Sequence, residues 1–337
     1  MTDTPEENII IAAEQGRLDL VTKLLDGGAD PNTVNEVGRS ALHNAAKEGH
    51  WDISRLLLEK NASPRIEDGN CATPLQLAIR AGHEKIVRLI FECDPTICES
   101  ADANTLKLLR IAALFGHAEI TQILLDNNVP SLDNTKELTA LHYAAEKGHY
   151  EVCDILLKHD KALNRSFWDR MTGPTLQVDR KDYDGRTPFH YAFNKRQTKT
   201  VGLFLRHYPE LTKACNKHKY LLFHEAVRWR LFEMVHVFLD NGVDLQMKDH
   251  RGKNSLHESV SAGSLNAPTF NEETAEMIRL LLSRGASVDV KDKWGWTPEM
   301  YAQDPKIRMI LRNHKASKGD SVTITPRVSA PPPEYKE

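Results

Sequence analysis

The chain lacks long apolar runs, cysteine pairs and a marked excess of charge of either sign. No stretch approaches the 18 or so apolar residues of a membrane-spanning helix, and the opening MTDTPEEN lacks the basic and apolar parts of a signal peptide. The five cysteines are odd in number and form no C-x-x-C pair, which favours a reduced compartment, the cytoplasm or the nucleus. A net charge of −3 argues against nucleic acid as a partner along the whole sequence. We expect no membrane association.

The sequence also lacks the short motifs that bind phosphates or dinucleotides or present a nucleophile. It contains no G-x-x-x-x-G-K, no G-x-G-x-x-G and no G-x-S-x-G. Residues 182–185, DYDG, are similar to part of a calcium loop, but Arg180 and Tyr191 stand where that loop needs acidic ligands. We therefore predict no enzyme activity, no catalytic residue, no metal site and no cofactor.

What the sequence does contain is a repeated pair of short apolar stripes, clearest in residues 139–157, TALHYAAEKGHYEVCDILL. Leu141, Ala144 and Ala145 form the first stripe at helical spacing, and Gly148 ends it. The second stripe consists of Val152, Ile155, Leu156 and Leu157. Two such short helices cannot bury their apolar faces alone, so each pair must pack against neighbours like itself.

This unit recurs with a period close to 33 residues. The positions equivalent to Thr139 are Glu7, Ser40, Thr73, Lys107, Thr139, Thr187, Leu221, Asn254 and Thr297. The best-preserved motif cores are SALHNA at residues 40–45, TPL at 73–75, TALH at 139–142 and TPFHYA at 187–192. A T-P-L-H-x-A core at this period resembles the ankyrin repeat, in which each copy is a β-turn followed by two antiparallel helices.

The resemblance implies an all-α fold, an ankyrin-repeat solenoid of stacked helix-turn-helix units with β-turn fingers. We place an N-terminal extension at residues 1–6, the repeats at 7–315, insertions near 160–181 and 264–271, and a disordered tail at 316–337. The resemblance also implies that the histidines of the motif core are structural and hydrogen-bond the backbone of neighbouring turns. They are His43, His142, His190, His224 and His257.

Glycine ends the first helix in six copies, at Gly16, Gly49, Gly82, Gly116, Gly148 and Gly263. Arg196 and Arg230 replace it in two later copies. A left-handed backbone costs a residue with a Cβ about 1–2 kcal/mol, so either the turn adopts another form or Arg230 gains a compensating contact. In the last copy the second helix is expected over residues 307–311, a short cap.

The two insertions carry different signals. Trp168 lies in the first, without helical or strand periodicity, and either forms part of a binding loop or covers the next turn. In the second, Thr269-x-x-Glu272 predicts a capping box that opens the following helix.

Ankyrin-like arrays use turn tips and the exposed ends of first helices as a concave contact surface for a protein partner. Most residues at the helix ends here are polar, but Leu114 and Phe115 are apolar, and Leu106 and Leu138 flank them at turn positions. Clustered exposed apolar residues mark a contact site, whereas a rotated helix would bury them. We name Leu106, Leu114, Phe115 and Leu138 the central patch.

A second set of candidate contact residues belongs to the later repeats. It combines aromatic and cationic types, which are frequent at binding hot spots: Tyr183, Tyr220, Arg228, Trp229, Trp294 and Trp296. The cationic bias suits an acidic peptide better than nucleic acid, because the repeat has no helix that reads a groove. In an alternative interpretation, Trp294 and Trp296 seal the end of the stack and do not contact a partner.

The tail contains P-P-x-Y at Pro332, Pro333 and Tyr335. Such a segment resembles the ligands of WW domains, which bind a preformed polyproline helix and are common in HECT-type ubiquitin ligases. The chain is therefore interpreted as a monomeric, non-catalytic scaffold or adaptor whose tail recruits such a ligase. In the alternative hypothesis it is a regulatory or inhibitory subunit that binds an enzyme or transcription factor through the repeats alone, and the tail is inert.

Overall fold

The computed structural model describes residues 8–98, 103–130, 138–163, 177–261 and 272–317. These residues form helices and tight turns, which confirms the all-α class. Their contacts define two compact units, one ending at Tyr183 and the other beginning at Asp184.

The first unit contains five helix pairs. They are α1 (Ile9–Glu14) and α2 (Leu18–Asp26), α3 (Ala41–Glu48) and α4 (Trp51–Glu59), α5 (Pro74–Ala81) and α6 (Glu84–Cys93), α7 (Ala103–Phe115) and α8 (Ala118–Asp126), and α9 (Ala140–Lys147) and α10 (Tyr150–Leu163). A 3₁₀ turn follows at Gln177–Asp179.

The second unit contains four pairs among its described residues. They are α11 (Pro188–Asn194) and α12 (Thr198–His207), α13 (Leu222–Arg228) and α14 (Phe232–Asp240), α15 (Ser255–Ser261) and α16 (Glu272–Ser283), and α17 (Pro298–Tyr301) and α18 (Pro305–Ser317). A 3₁₀ turn at Pro209–Lys213 follows α12.

Within each unit the helices form two layers. The first helices of successive pairs pack on one another, from α1 through α9 and from α13 through α17. Behind them the second helices pack on one another from α2 through α10, and α12 packs on α14 and α16 on α18. Small residues such as Ala45 and Ala112 are fully buried in the first layer, and Leu57 and Leu156 are fully buried in the second. Burying one leucine contributes about 1.5–3 kcal/mol, and the neighbouring pair supplies part of that cover.

Local sequence signals explain where the first helices begin. Ser40, Thr73 and Thr139 are N-caps, and each forms a capping box with the residue three positions later. That partner is a histidine in α3 and α9 and Gln76 in α5. These side chains satisfy backbone N–H groups that have no partner inside the helix.

Glycine ends the first helices of the first unit for two reasons. Gly49, Gly82 and Gly148 have φ near +80°, a backbone conformation that a Cβ disfavours. In addition, the imidazole of His117, in the next pair, lies against Gly82, so a Cβ there would be 2.7 Å from His117 Cε1. The same packing joins His50 to Gly16, His83 to Gly49 and His149 to Gly116.

The expectation of a different turn at the two arginines is wrong. Arg196 and Arg230 keep the left-handed conformation, with φ of 57° and 55°. In the first unit the packed histidine directly follows the helix-ending glycine of the next pair, and the equivalent residue for Arg196 is Leu231, which follows Arg230. The alternative expectation is correct, because the Arg230 guanidinium donates hydrogen bonds of 3.0 and 2.7 Å to Thr274 Oγ1.

Three predicted boundaries differ from the structure. Leu106 lies inside α7, because residues 103–109 lack a Pro or Gly turn signal and consist largely of helix-forming residues. The last helix continues past Leu311 through Ser317, since His314 and Lys315 favour the helix C-terminus and Lys315 Nζ binds Asp289 Oδ1 at 2.5 Å. Helix α10 extends to Leu163, into the predicted first insertion.

Several predicted features lie outside the described residues. They are the N-terminal extension, Trp168, Gly263, Thr269 and the tail motif. The helix predicted to follow Thr269 is present and begins at Glu272.

The packing of histidine on glycine predicts a measurable asymmetry between two glycines of the first unit. Gly28→Ala introduces a Cβ at φ +90° with no atom within 4 Å, so it should cost about 1–2 kcal/mol of unfolding free energy. Gly82→Ala adds a clash with the His117 ring and should cost about 1–3 kcal/mol more. Urea unfolding followed by circular dichroism measures both values.

The double substitution Gly82→Ala with His117→Ala is the control. It should cost less than the two single substitutions added together, because the ring that clashes is gone. Equal costs for Gly28→Ala and Gly82→Ala would contradict the role assigned to the imidazole.

Candidate protein-binding surface

Where the structure describes the residues before a first helix, as at 33–40, 66–73, 214–221, 247–254 and 290–297, they form a tight turn, here called a finger. One Asp or Asn side chain closes the finger by accepting two backbone N–H bonds, as Asp68 Oδ1 does from Asn70 (2.9 Å) and Ala72 (3.0 Å). The equivalent residues are Asn35, Asn216, Asp249 and Asp292. Successive fingers are also joined, since Gly69 N donates to the Val37 carbonyl oxygen at 2.8 Å. The fingers are therefore rigid supports for any side chain at their tips.

The histidines of the motif core connect one finger to the next. His43 Nδ1 accepts the Ser40 backbone N–H at 3.1 Å, which leaves the proton on Nε2. His43 Nε2 then donates to the Ala72 carbonyl oxygen of the next finger at 3.1 Å. His190 and His257 make the equivalent bonds, at 2.8 and 2.9 Å, to the carbonyl oxygens of Cys215 and Trp296. The expected structural role is confirmed for these three histidines.

Burial favours the neutral form of the His43, His224 and His257 imidazoles. It lowers the pKa of His43, and it lowers the pKa of His224 and of His257 to about 4. The N-cap three positions before His224 is Leu221, which has no hydroxyl to bond the ring. The buried Nδ1 of His224 therefore has no hydrogen-bond partner among the described atoms. Protonating any of the three rings would place a cation where solvent does not reach.

Among the described side chains of the central patch, Phe115 is the most exposed to solvent. It is the last residue of α7, is 44% exposed, and lies 5.9 Å from the Arg80 guanidinium of the preceding pair. Leu114 and Leu138 are half-buried, and the Leu114 carbonyl oxygen accepts a 3.1 Å hydrogen bond from His149. Leu106 belongs to helix α7, and its side chain lies outside the described part of the chain.

The second set divides into exposed and packed side chains. Trp229 at the end of α13 is 66% exposed, Trp294 at a fingertip is 47% exposed, and Tyr183 at the end of the first unit is 80% exposed. Arg228, next to Trp229, is half-buried. Trp296 is also half-buried, with its ring 5.4 Å from that of Tyr301.

Tyr220 is part of a buried charged network that sequence reasoning missed. Its ring lies 4.6 Å from the Arg251 guanidinium, which binds Asp249 Oδ2 at 2.9 Å and Glu258 Oε1 at 2.6 Å. Burial raises the pKa of Glu258 despite the opposing effect of Arg251. The signal in the sequence is Glu258 itself, a charged residue directly after the motif histidine, seven positions from Arg251.

Lys253 completes this network from within the same finger. Its side chain is buried, with Nζ 4.2 Å from the centre of the Tyr301 ring and 3.5 Å from Ser261 Oγ. Burial lowers the pKa of the Lys253 ammonium. The network therefore fixes Arg251 and Lys253 internally and leaves neither cation available to a ligand.

The described residues contain no group of three His, Cys, Asp or Glu side chains that could hold a metal ion. Within the same ranges, no helix has the length and apolar character needed to cross a membrane. All five cysteines are free thiols.

Comparison with known families identifies the same repeat. A family profile described as ankyrin repeats (3 copies) matches residues 9–99 and 93–167, and one described as ankyrin repeats (many copies) matches residues 141–201.

The chain is similar in sequence to three proteins of known name. The chain is 30% identical over 204 residues to the probable 26S proteasome regulatory subunit p28 of Saccharomyces cerevisiae, covering 56% of this chain and 79% of p28. It is 26% identical over 203 residues to the Target of rapamycin complex 2 subunit AVO2 of the same yeast, covering 58% of this chain and 42% of AVO2. It is 25% identical over 183 residues to the B-cell lymphoma 3 protein homolog of Mus musculus, covering 54% of this chain and 36% of that protein. The chain thus spans less than half of AVO2 and of the mouse protein.

The neutral histidines predict that stability falls as the solution is acidified. A ring with a folded-state pKa of about 4 and an unfolded-state pKa of about 6.5 contributes fully above pH 6.5, and its contribution is lost as pH falls toward 4. For His257 the loss is up to about 3 kcal/mol. Urea unfolding at several pH values between 7 and 4 measures it.

His257→Gln supplies the matched variant, because Gln76 already fills the same capping position in α5. This variant should fold and should lose less stability than the unmodified chain between pH 6.5 and 4. An identical pH dependence for the two chains would refute the assignment.

Proposed function

The chain belongs to the ankyrin-repeat family, and from that membership we propose that it is a non-catalytic protein-binding scaffold or adaptor. Its partner is a protein that contacts the finger tips and the exposed ends of the first helices. The observation that carries this proposal is the exposure of Phe115 at the end of α7. An aromatic side chain that is 44% exposed on a rigid support is the kind of residue that dominates binding energy at an interface.

The surroundings of Phe115 support a contact role. The Arg80 guanidinium of α5 lies 5.9 Å from the ring on one side, and α9 on the other side ends with Glu146 and Lys147, so charged residues flank the phenyl ring. A partner that covers the ring with an apolar side chain would thus find polar groups around it. This arrangement of an apolar centre and a polar rim is typical of protein interfaces.

A second candidate function is that of a regulatory or inhibitory subunit that binds an enzyme or a transcription factor through the repeats alone. The names of two relatives favour it, since p28 is called a probable regulatory subunit of the 26S proteasome and AVO2 a subunit of Target of rapamycin complex 2. In this alternative the tail contributes nothing to binding.

The adaptor form of the proposal adds the tail motif at Pro332, Pro333 and Tyr335, which lies outside the described residues. A WW domain recognises such a segment through a preformed polyproline helix, and a WW-containing ubiquitin ligase is the partner we propose for it. The repeats would hold the target and the tail would recruit the ligase. We place the protein in the cytoplasm, the nucleus or both, and propose that it is monomeric.

Phe115→Glu tests the contact surface. The substitution should weaken capture of the repeat-bound partner about tenfold or more, because it places a carboxylate against the apolar centre of the interface. Trp51→Glu is the matched control, since Trp51 is 36% exposed and lies on α4, in the second layer of helices. Affinity capture with quantitative mass spectrometry compares the two variants, and circular dichroism checks their helicity.

Retained capture by Phe115→Glu would contradict the surface assignment. Loss of helicity in that variant alone would show that the ring is part of the core.

Tyr335→Ala separates the two candidate functions. If the chain is an adaptor, the variant should lose binding to WW domains and ubiquitination of the captured partner while partner capture persists. Unchanged WW binding in a pull-down with purified WW domains would dismiss the motif and leave the subunit role of the repeats.

A further inference from the structure

The three fingers of the second unit from residue 214 onward carry an unusual concentration of positive charge. Residues 214–221, 247–254 and 290–297 contain seven Lys or Arg residues and two carboxylates, Asp249 and Asp292. The described fingers of the first unit, residues 33–40 and 66–73, contain one arginine and three acids. Because the whole chain has a net charge of −3, this concentration is local. We call these three turns the basic fingers.

Both carboxylates of the basic fingers are buried and satisfied. Asp249 Oδ1 accepts two backbone N–H bonds of 2.9 Å, from Arg251 and Lys253, and its Oδ2 binds the Arg251 side chain at 2.9 Å. Asp292 Oδ2 accepts a 2.6 Å hydrogen bond from the Tyr301 hydroxyl, and its Oδ1 accepts two backbone bonds within its own finger. Asp249 pairs with Arg251 inside the buried network, and neither acid forms a salt bridge with an exposed lysine of the described fingers.

The remaining lysines face solvent. Arg251 and Lys253 are held in the buried network, and Lys248 Nζ donates to the Lys291 carbonyl oxygen at 3.2 Å. The side chains of Lys217, Lys219, Lys291 and Lys293 are exposed, and within the described ranges none has a carboxylate within 4 Å.

The basic fingers form a row with a fixed repeat distance. His250 Nδ1 donates to the Lys219 carbonyl oxygen at 3.2 Å, and Lys293 N donates to the Arg251 carbonyl oxygen at 3.0 Å. The first helices behind them, α13, α15 and α17, pack in sequence, and packed helices lie about 8–10 Å apart. Lysines on successive fingers are therefore expected about one helix spacing apart.

We propose that the basic fingers bind an acidic protein segment in the polyproline II conformation, with carboxylates three residues apart. A polyproline II helix has three residues per turn and rises about 3.1 Å per residue, so every third side chain lies on one side at intervals of about 9 Å. That interval matches the finger spacing, whereas an extended β-strand turns its third residue to the opposite face.

Trp294 gives the last finger an exposed aromatic surface of the kind that proline-rich ligands contact. This inference rests on the proposed protein-binding function and specifies the chemistry of one bound segment.

Two fluorescent peptides of identical composition test the proposal on the full chain: E-P-P-E-P-P-E and its isomer P-P-E-E-E-P-P. Anisotropy titration should show that the spaced peptide binds about tenfold or more tightly than the isomer, and that added salt weakens its binding. Lys217→Glu with Lys293→Glu should reduce that affinity about tenfold or more, and the corresponding double change to Gln should reduce it less. Lys199→Glu, an exposed lysine on α12 of the same unit, should leave it unchanged.

Three results would overturn the proposal. Equal affinity for the two peptides would mean that charge alone is recognised, without spacing. Tighter binding of a seven-nucleotide single strand through the same lysines would assign the fingers to nucleic acid. Absence of peptide binding would refute this inference. It would not affect the proposal that the repeats bind a protein partner, because Phe115→Glu tests that proposal separately.

Discussion

Helices of four to fourteen residues are too short to be stable alone, so each pair in this chain depends on its neighbour for cover. Each pair depends on its neighbour through specific atomic contacts as well as through buried apolar area. An imidazole lies on the bare Cα of a glycine in the preceding pair, and a motif histidine donates to the carbonyl of the next finger. Both contacts cross from one repeat to another, so the unit of stability is the interface between repeats.

This constraint decides which surfaces are available for function. The first helices use their apolar faces to pack against neighbouring helices. The carboxylates of Asp68, Asp249 and Asp292 accept the hydrogen bonds that close the fingers. The tips of the fingers and the last residues of the first helices are among the positions that stay exposed. Phe115, Trp229 and Trp294 are exposed at such positions, and Lys217 and Lys293 are exposed at fingertips. Aromatic and cationic side chains are therefore exposed where a partner can reach them.

The period and the caps of the fold could be predicted because they depend on local chemistry. A Thr or Ser N-cap, a histidine or glutamine three residues later and a glycine at the helix end are read directly from spacing. The glycine–histidine packing could not be predicted, because its two residues are about one repeat apart and meet only after stacking. The motif register predicts a turn at Leu106, but helix-forming residues extend α7 through that position. The network around Arg251 and Glu258 required side-chain geometry that no motif encodes.

The central claim, that stability resides between neighbouring repeats, is tested most directly by hydrogen exchange under native conditions. Leu57→Ala removes a fully buried side chain from α4 and should cost about 2–5 kcal/mol. The account predicts that amide exchange, followed by mass spectrometry, rises most in α1 through α6 and less in α9 and α10 of the same unit. An equal rise in every helix of that unit would contradict it.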